Sequence, residues 1–566
     1  MPELLEREEE LASIDEALRL AHDGAGQALA ILGPAGIGKT VLLGRAREMG
    51  CARGFVVLAA RPGELERELG WGVVLDLFAR RVHTLSPRSR SDVLSGPAAR
   101  VASLMGESDD GPAVPSDATA ELLHALYWLT SNLASEAPIL LAVDDAHWAD
   151  TPSQRLLAYL ARRIDDLPVA LIITARSPEA REERNLVGLI RKGNVDVLQP
   201  RALSERATES LLCEAWKRDV DDAFAGAAHR ATKGNPFLLH AAVSALMADG
   251  VAPTAANAER VAALQPQSVS RAALLRLTGL PSGAANLALA VSVLGTSAQL
   301  HVATRLADLD DATASRAADA LIAADILTAG TEVDFVHPLV RSAIYADIPP
   351  LEKAEWHRRA AQLLEEAGAA DDLVVKHLLL TQPRADAHVV ARLRAAAASA
   401  LQRGSPDAAV MYLRRALTEG PGECRGDVLF ELGSAEGVLE DPDATDHLRE
   451  ARGLVTDQVR EGKVAVALVR TLILSQRFEE ASDVTDEVLP RLRTTDSELA
   501  LQLDAERIAA MMTTANLFLE GARRLADLSR DLPGATRGER LMLLNLATVA
   551  YVMGEPASAI NALVAR

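Results

Sequence analysis

The sequence predicts a three-layer α/β domain with a parallel sheet over its first 200 residues, followed by helical modules. Three observations carry that prediction. Short apolar runs alternate with helical patterns from residue 28 to 198, the order that builds a parallel sheet covered on both faces. The first run, Ala28–Leu32, opens into Gly33-Pro34-Ala35-Gly36-Ile37-Gly38-Lys39-Thr40, with a helical pattern from Val41 onward. From residue 201 helical periodicity takes over, and after residue 400 it acquires a repeat of 36 to 41 residues.

Residues 1–25 are a charged lead-in containing Leu5-Glu6-Arg7-Glu8, with helical spacing through Ile14, Ala17 and Leu18. The next stretch fits Gly-x-x-x-x-Gly-Lys-[Ser/Thr] between a strand and a helix, the context that marks a phosphate-binding loop. Gly33, Gly36 and Gly38 allow the sharp turn that aims backbone N–H groups inward. The new helix offers its free N–H groups and positive dipole end to the same anion. Lys39 is expected to reach the outer phosphates and the Thr40 hydroxyl to ligate Mg²⁺. The chain holds only seven lysines, so a lysine at the one position the loop requires is not compositional drift.

Gly54–Ala60 reads as a second strand, residues 70–105 as helical, and Gly106–Pro112 as a surface loop. Pro138–Val143 is an apolar run that ends in Asp144-Asp145, carboxylates delivered where an open α/β sheet places ligand chemistry. Asp144 is expected to hold Mg²⁺ with Thr40, and Asp145 to orient or activate an attacking water. His147 and Asp150 are candidates to line that site, whereas Trp148 reads as loop packing. Val169–Ile173 is a further strand, ending in Thr174-Ala175-Arg176. If it lies beside the Asp144 strand, Arg176 arrives near a γ-phosphate; otherwise it is a surface arginine at a strand end. Val195–Leu198 closes the sheet. The guanine-reading Asn-Lys-x-Asp element is absent, which favours adenine, so ATP/ADP with Mg²⁺ are the expected ligands.

Helices follow over Leu203–Trp216 and Ala223–Ala231, and Thr232–Phe237 breaks the pattern before a helix through Met247. Within 284–348 the order is three short helices, a hairpin (Ile326–Thr328 with Val333–Phe335) and a closing helix, which suggests a winged helix. Its third helix carries Arg316 but also Asp319, with Asp308, Asp310 and Asp311 just upstream, the wrong sign for DNA recognition. Ala409, Thr445, Ala481, Ala522 and Ala559 each follow a turn at spacings of 36, 36, 41 and 37. Small residues at that period indicate stacked helix pairs of the tetratricopeptide kind, whose concave face suits a peptide, protein or small inducer. The expected modules are therefore 1–200, 201–262, 263–348, a helical connector at 349–390, and repeats at 391–566. The chain stops at Ala562–Arg566 without a polar capping helix, which predicts the N-terminal portion of a longer protein.

Composition bounds the partners. A formal charge of −20 with no local basic patch argues against direct DNA binding by these residues. No apolar run reaches the ~18 residues of a membrane span and no signal peptide opens the chain. Cys51, Cys213 and Cys424 share no motif spacing, so reduced thiols in a cytoplasmic protein are expected.

Together these pieces resemble the STAND-type signal-transducing ATPases, and most of all the large ATP-binding regulators of the LuxR family. The resemblance rests on Leu5–Glu8, Gly33–Thr40, Val143–Asp150, Thr174–Arg176, Gly234–Phe237 and Phe335–Val340. It implies an AAA-like α/β P-loop NTPase domain followed by a helical lid, a winged helix and a TPR-like solenoid. It further implies that Arg7 lies near the adenine, that Pro236 packs on the base, and that His337 contacts the β-phosphate of ADP. A slow ATPase switch would follow: ADP-bound and closed at rest, opened by an inducer at the repeats, and self-associating with ATP. DNA would be reached only through a C-terminal helix-turn-helix that this sequence lacks. Two other readings use the same core: a constitutive AAA-type remodelling enzyme, and a nucleotide-binding scaffold without turnover.

Overall fold

The computed structural model describes residues 4–63, 70–104, 119–176, 195–248, 250–262, 280–296, 298–324, 326–336, 338–513, 518–526 and 532–565. The expected loop at Gly106–Pro112 and His337 lie outside the described residues. The chain divides into two compact units, which meet in sequence between Thr381 and Gln382.

The first unit opens with helix α1 (Glu8–His22), strand β1 (Gln27–Leu32), helix α2 (Lys39–Ala52), strand β2 (Val56–Ala60) and helix α3 (Gly72–Thr84). Strands β3 (Ile139–Val143), β4 (Val169–Ala175) and β5 (Asp196–Leu198) complete a five-stranded sheet of order β2-β3-β4-β1-β5. Every pairing in it is parallel. Side chains alternate across β1. Ala28, Ala30 and Leu32 enter the core built with α3 and helices Thr119–Ala134 and Thr151–Leu160. Leu29 and Ile31 enter the other core, with Ile14 and Leu18 of α1 and Leu42 and Leu43 of α2. This is the three-layer α/β arrangement expected, and burial on both faces explains why β1, β3 and β4 are near-continuous apolar runs.

Strand β4 extends two residues beyond the expected end, so Thr174 and Ala175 belong to the sheet. Helices Glu205–Trp216, Asp222–Thr232 and Pro236–Ala248 come next, with a core of their own around Leu212, Phe224 and Leu239. Pro236 is the first residue of its helix rather than part of the break. Asn235 caps that helix, its Oδ1 accepting from the N–H groups of Phe237 (3.1 Å) and Leu238 (3.3 Å).

Helices Ala284–Leu294, Leu300–Leu306 and Asp311–Ala323 follow, then helix Pro338–Asp347. The anticipated hairpin is present as a bridge between Leu327 and Phe335, with Thr328 N donating to Asp334 O at 2.8 Å. It also gains a partner: β6 (Ala298–Gln299) pairs antiparallel with β7 (Glu332–Val333). Helices Pro350–Glu366 and Asp371–Leu378 complete the unit.

Below that module His357 and His377 are fully buried, their Nδ1 atoms 2.8 Å apart, and Tyr345 Oη lies 2.8 Å from His357 Nε2. Burial, with Lys353 and Lys376 nearby, brings His357 down to about 4. Burial likewise lowers His377, with Lys376, His357 and Arg341 adding to it. The sign of the consequence follows from linkage. Both rings are neutral when folded but titrate near 6.5 when unfolded, so stability is intact above pH 6.5 and falls as pH drops toward 4. Between pH 6.5 and pH 5 the His357 ring alone should cost about 2 kcal/mol. Melting curves across that range should show it, and His357→Asn should flatten the slope by about one proton. An unchanged slope would refute the assignment.

The second unit is a run of helix pairs: Ala387–Gln402 with Pro406–Glu419, Arg425–Val438 with Ala444–Leu454, Gln458–Leu474 with Phe478–Thr495, Ser497–Thr513 with Phe518–Ala526, and Arg537–Val552 with Ala557–Val564. Each marker residue read from the sequence lies near the start of the second helix of its pair. Ala409, Thr445 and Ala481 are buried there, while Ala522 and Ala559 are half-buried. The result is a TPR-like helical region. Its first helix begins at Ala387, so residue 391 lies inside a helix. Ion pairs link the first helices of successive pairs, Arg394 to Glu431 and Arg470 to Glu506. Among the described residues no helix is long and apolar enough to cross a membrane, and the three cysteines form no disulfide.

Candidate nucleotide site

The carboxyl edge of the sheet gathers the candidate residues. Leu32 is in register with Ala175, and Val143 with Ile173, so Gly33, Asp144 and Arg176 leave adjacent strands together. The strand with Arg176 does lie beside the strand with Asp144.

The loop after β1 turns through Gly36 at φ +80° and Gly38 at φ +104°. Both angles lie in the left-handed region that favours glycine. Gly38 is the N-cap of α2, which starts with no side-chain cap, so its first N–H groups are left for a ligand. Lys39 is buried, and its Nζ donates to the carbonyls of Gly33 and Pro34, both at 3.0 Å. Burial pushes the ammonium below the usual lysine range, while Asp145 and Asp144 oppose that shift.

Asp144 sits at the centre of a small network. Its Oδ1 accepts from Thr174 Oγ1 at 2.6 Å, from Thr40 Oγ1 at 3.2 Å and from Asp145 N at 3.2 Å. Thr174 Oγ1 in turn accepts from Asp145 N at 2.8 Å. The Thr40 and Asp144 oxygens fit a Mg²⁺ ion. They are hard oxygen donors, one a carboxylate, and their small number suits a cation that takes its remaining ligands from phosphates and water. Asp145 adopts φ +46° and is half-buried. Burial, then the neighbouring Asp144 charge, raises its carboxyl above the usual range, against Lys39, Arg61 and Arg176.

Around this edge lies a cavity of about 460 Å³ whose walls include Arg7, Gly36, Gly38, Lys39, Thr40, Asp145, Arg176 and Pro236. Leu4, Leu5, Leu203 and Leu211 make one side apolar, as a base would require. The structure thus brings these predicted residues together, with Gly33 and Asp144 holding the loop and Thr40 from behind. Arg7 is buried and also serves as a tie: its guanidinium donates to Ile37 O at 3.3 Å and Arg201 O at 2.7 Å. Arg176 is exposed, its guanidinium carbon 5.6 Å from the centre of the Trp148 ring. Asp150 caps a helix, accepting from Ser153 N at 2.9 Å and Trp71 N at 2.8 Å, and lines a cavity that also includes Thr40 and Asp144.

Sequence reasoning gave no role to Thr174 or Asn235, although both lie in motifs it singled out, and it did not find Arg61. Thr174 orients both acidic residues; the Thr174–Arg176 motif was its signal. Asn235 donates from Nδ2 to Ala35 O at 3.0 Å, and Phe237 N donates to Gly36 O at 3.2 Å, so a helix of the second module rests on the loop. A Cβ on Gly36 would meet Asn235 Oδ1 and Phe237 Cβ, each at 2.8 Å. Arg61, after β2, approaches Asp144, and no local pattern announces it.

Comparison with known proteins gives matches over different spans. An uncharacterised protein of Rhizobium meliloti (strain 1021) is 26% identical over 392 residues, 63% of this chain. The chain spans only 36% of that curated relative's length. Among solved structures, a Signal Transduction ATPase with Numerous Domains (STAND) protein with a tetratricopeptide repeat sensor, from Pyrococcus horikoshii, aligns over 98% of this chain and 75% of its own, at 18% identity and a TM-score of 0.49. The Orc1 protein of Aeropyrum pernix, solved in complex with DNA, aligns over 61% of this chain and 94% of its own, at 18% identity and a TM-score of 0.30. Residues 3–173, which hold the loop, β1 to β3 and both aspartates, match the family model of the AAA ATPase domain.

Proposed function

We propose that the chain is the switch portion of a LuxR-type transcriptional regulator of the STAND kind, a slow ATPase whose state is set by ADP or ATP. The observation that supports this best is the shared cavity. Its walls come from the lead-in, the phosphate loop and the helical module after the sheet, so a nucleotide there touches each of them.

In this reading the Gly33–Thr40 loop and the start of α2 bind the polyphosphate, and Lys39 supplies a point charge at its outer end. Thr40 and Asp144 hold Mg²⁺, which neutralises phosphate charge. Asp145 takes the proton of the attacking water, and Arg176 senses the terminal phosphate. Pro236 and Arg7 flank the adenine, and His337 contacts the β-phosphate from the module at 284–348, read as a winged helix that does not bind DNA. An inducer at the TPR-like repeats would favour exchange of ADP for ATP, opening and self-association. A LuxR-type DNA-reading domain would lie outside these residues.

The energies are attainable. Ligand at about a thousand times its dissociation constant biases a state by ~4 kcal/mol. A shift from 1:99 to 99:1 needs roughly 5.5 kcal/mol of differential binding, within reach of nucleotide and inducer acting together. The test is to extract the purified protein, identify its nucleotide, and weigh it by light scattering with ADP and with a non-hydrolysable ATP analogue. ADP should co-purify, and the ATP analogue should raise the mass. Nucleotide-free protein of constant mass would overturn the proposal.

A further inference from the structure

Strand β2 pairs with β3 so that Ala60 lies opposite Val143, and Asp144 N continues the ladder by donating to Ala60 O at 3.0 Å. The next residue, Arg61, therefore emerges beside Asp144. Its Nε lies 3.5 Å from Asp144 Oδ2, and its Nη1 lies 3.4 Å from Asp334 Oδ2. Asp334 stands in the hairpin between the buried Val333 and Phe335, with its Oδ1 accepting from Phe335 N at 2.7 Å. The three side chains are 7%, 33% and 20% exposed for Asp144, Arg61 and Asp334, too sheltered for bulk water to screen them fully. One guanidinium is thus shared between the carboxylate at the sheet edge and a carboxylate of the hairpin module.

We propose that Arg61 is a positioning residue that couples the metal position at Asp144 to the hairpin at 326–336. A divalent cation and the Arg61 guanidinium compete for the same carboxylate. Two cations on one carboxylate repel, and the doubly charged ion prevails when phosphates help to hold it. Arg61 then passes to Asp334, so metal loading tightens the hairpin onto the sheet edge. Linkage makes the effect reciprocal: Asp334, by drawing Arg61 away, must favour the metal. The inference rests on the reading of Asp144 as the carboxylate that holds Mg²⁺.

That reciprocity gives a test with opposite signs. The Mg²⁺ concentration that half-saturates the ADP-bound protein should be measured by titration calorimetry. Arg61→Gln removes the competitor and should lower it roughly fivefold, whereas Asp334→Asn leaves Arg61 to Asp144 and should raise it by a similar factor. Arg61→Lys, which keeps the cation should the Gln variant fold poorly, should stay near the natural protein. Amide exchange over 326–336 should slow when Mg²⁺ is added to the ADP-bound protein, and this slowing should vanish in Arg61→Gln. Shifts of equal sign in the two variants, no shift in either, or slowing that persists without Arg61 would each overturn the coupling while leaving the nucleotide site intact. ADP binding that ignores Mg²⁺ altogether would instead remove the metal position, and the coupling with it.

Discussion

Lys39→Ala should lose ADP and ATP binding by about 3 kcal/mol, roughly a hundredfold in dissociation constant. The side chain is already committed to the loop: it is buried, aligned on the Gly33 and Pro34 carbonyls, and held below its ordinary pKa by that burial. An ammonium kept from water at such a cost gains most when an anion arrives, because a charge-assisted bond in a sheltered site is among the strongest non-covalent contacts. The fold should survive, since the loop's turns rest on Gly36 and Gly38 and the change removes only the two bonds to the Gly33 and Pro34 carbonyls. Fluorescent-nucleotide titration alongside thermal melting separates the two effects. Unchanged affinity in a folded variant would refute the phosphate-binding role of the loop.

Asp145→Asn should lower turnover by roughly a hundredfold to ten-thousandfold while nucleotide binding holds. Asn tolerates a left-handed backbone as Asp does, so φ +46° at this position survives the change, and the backbone N–H to Thr174 is untouched. The substitution also removes a negative charge beside Asp144, a change that favours polyphosphate. The variant therefore discriminates between the uses open to this core. A switch should accumulate in its ATP form and self-associate, a constitutive remodelling enzyme should simply stop, and a scaffold should be indifferent. Single-turnover hydrolysis with light scattering reads all three, and undiminished hydrolysis would remove Asp145 from the chemistry.

What could be read in the sequence was local. The loop was legible because its glycines, lysine and threonine form one short pattern between a strand and a helix, and backbone geometry demands those types there. Asp144 and Asp145 were legible because an apolar strand can deliver carboxylates only at its end. The helix pairs were legible through a period kept by small residues such as Ala409 and Thr445, both buried in the structure. Apart from the pairing of Thr40 with Asp144, contacts that join distant segments were not legible. Arg61 meets Asp144 only through the pairing of β2 with β3, and Asn235 meets Ala35 across a separation of 200 residues. Strand β6 is two residues long, too short for any alternation to reveal it. Pro236 looked like a breaker because the capping role of the asparagine before it was overlooked.

The seating of the Asn235 helix on the loop has a mechanical corollary. Two successive loop carbonyls, at Ala35 and Gly36, are the rests on which that helix sits, and the space at Gly36 leaves no clearance for a side chain. Loop and helix are thus stiffly joined, like a lever pinned to its fulcrum. A ligand that reshapes the turn is therefore expected to tilt the helix with it, so that grip and the angle of the arm change together.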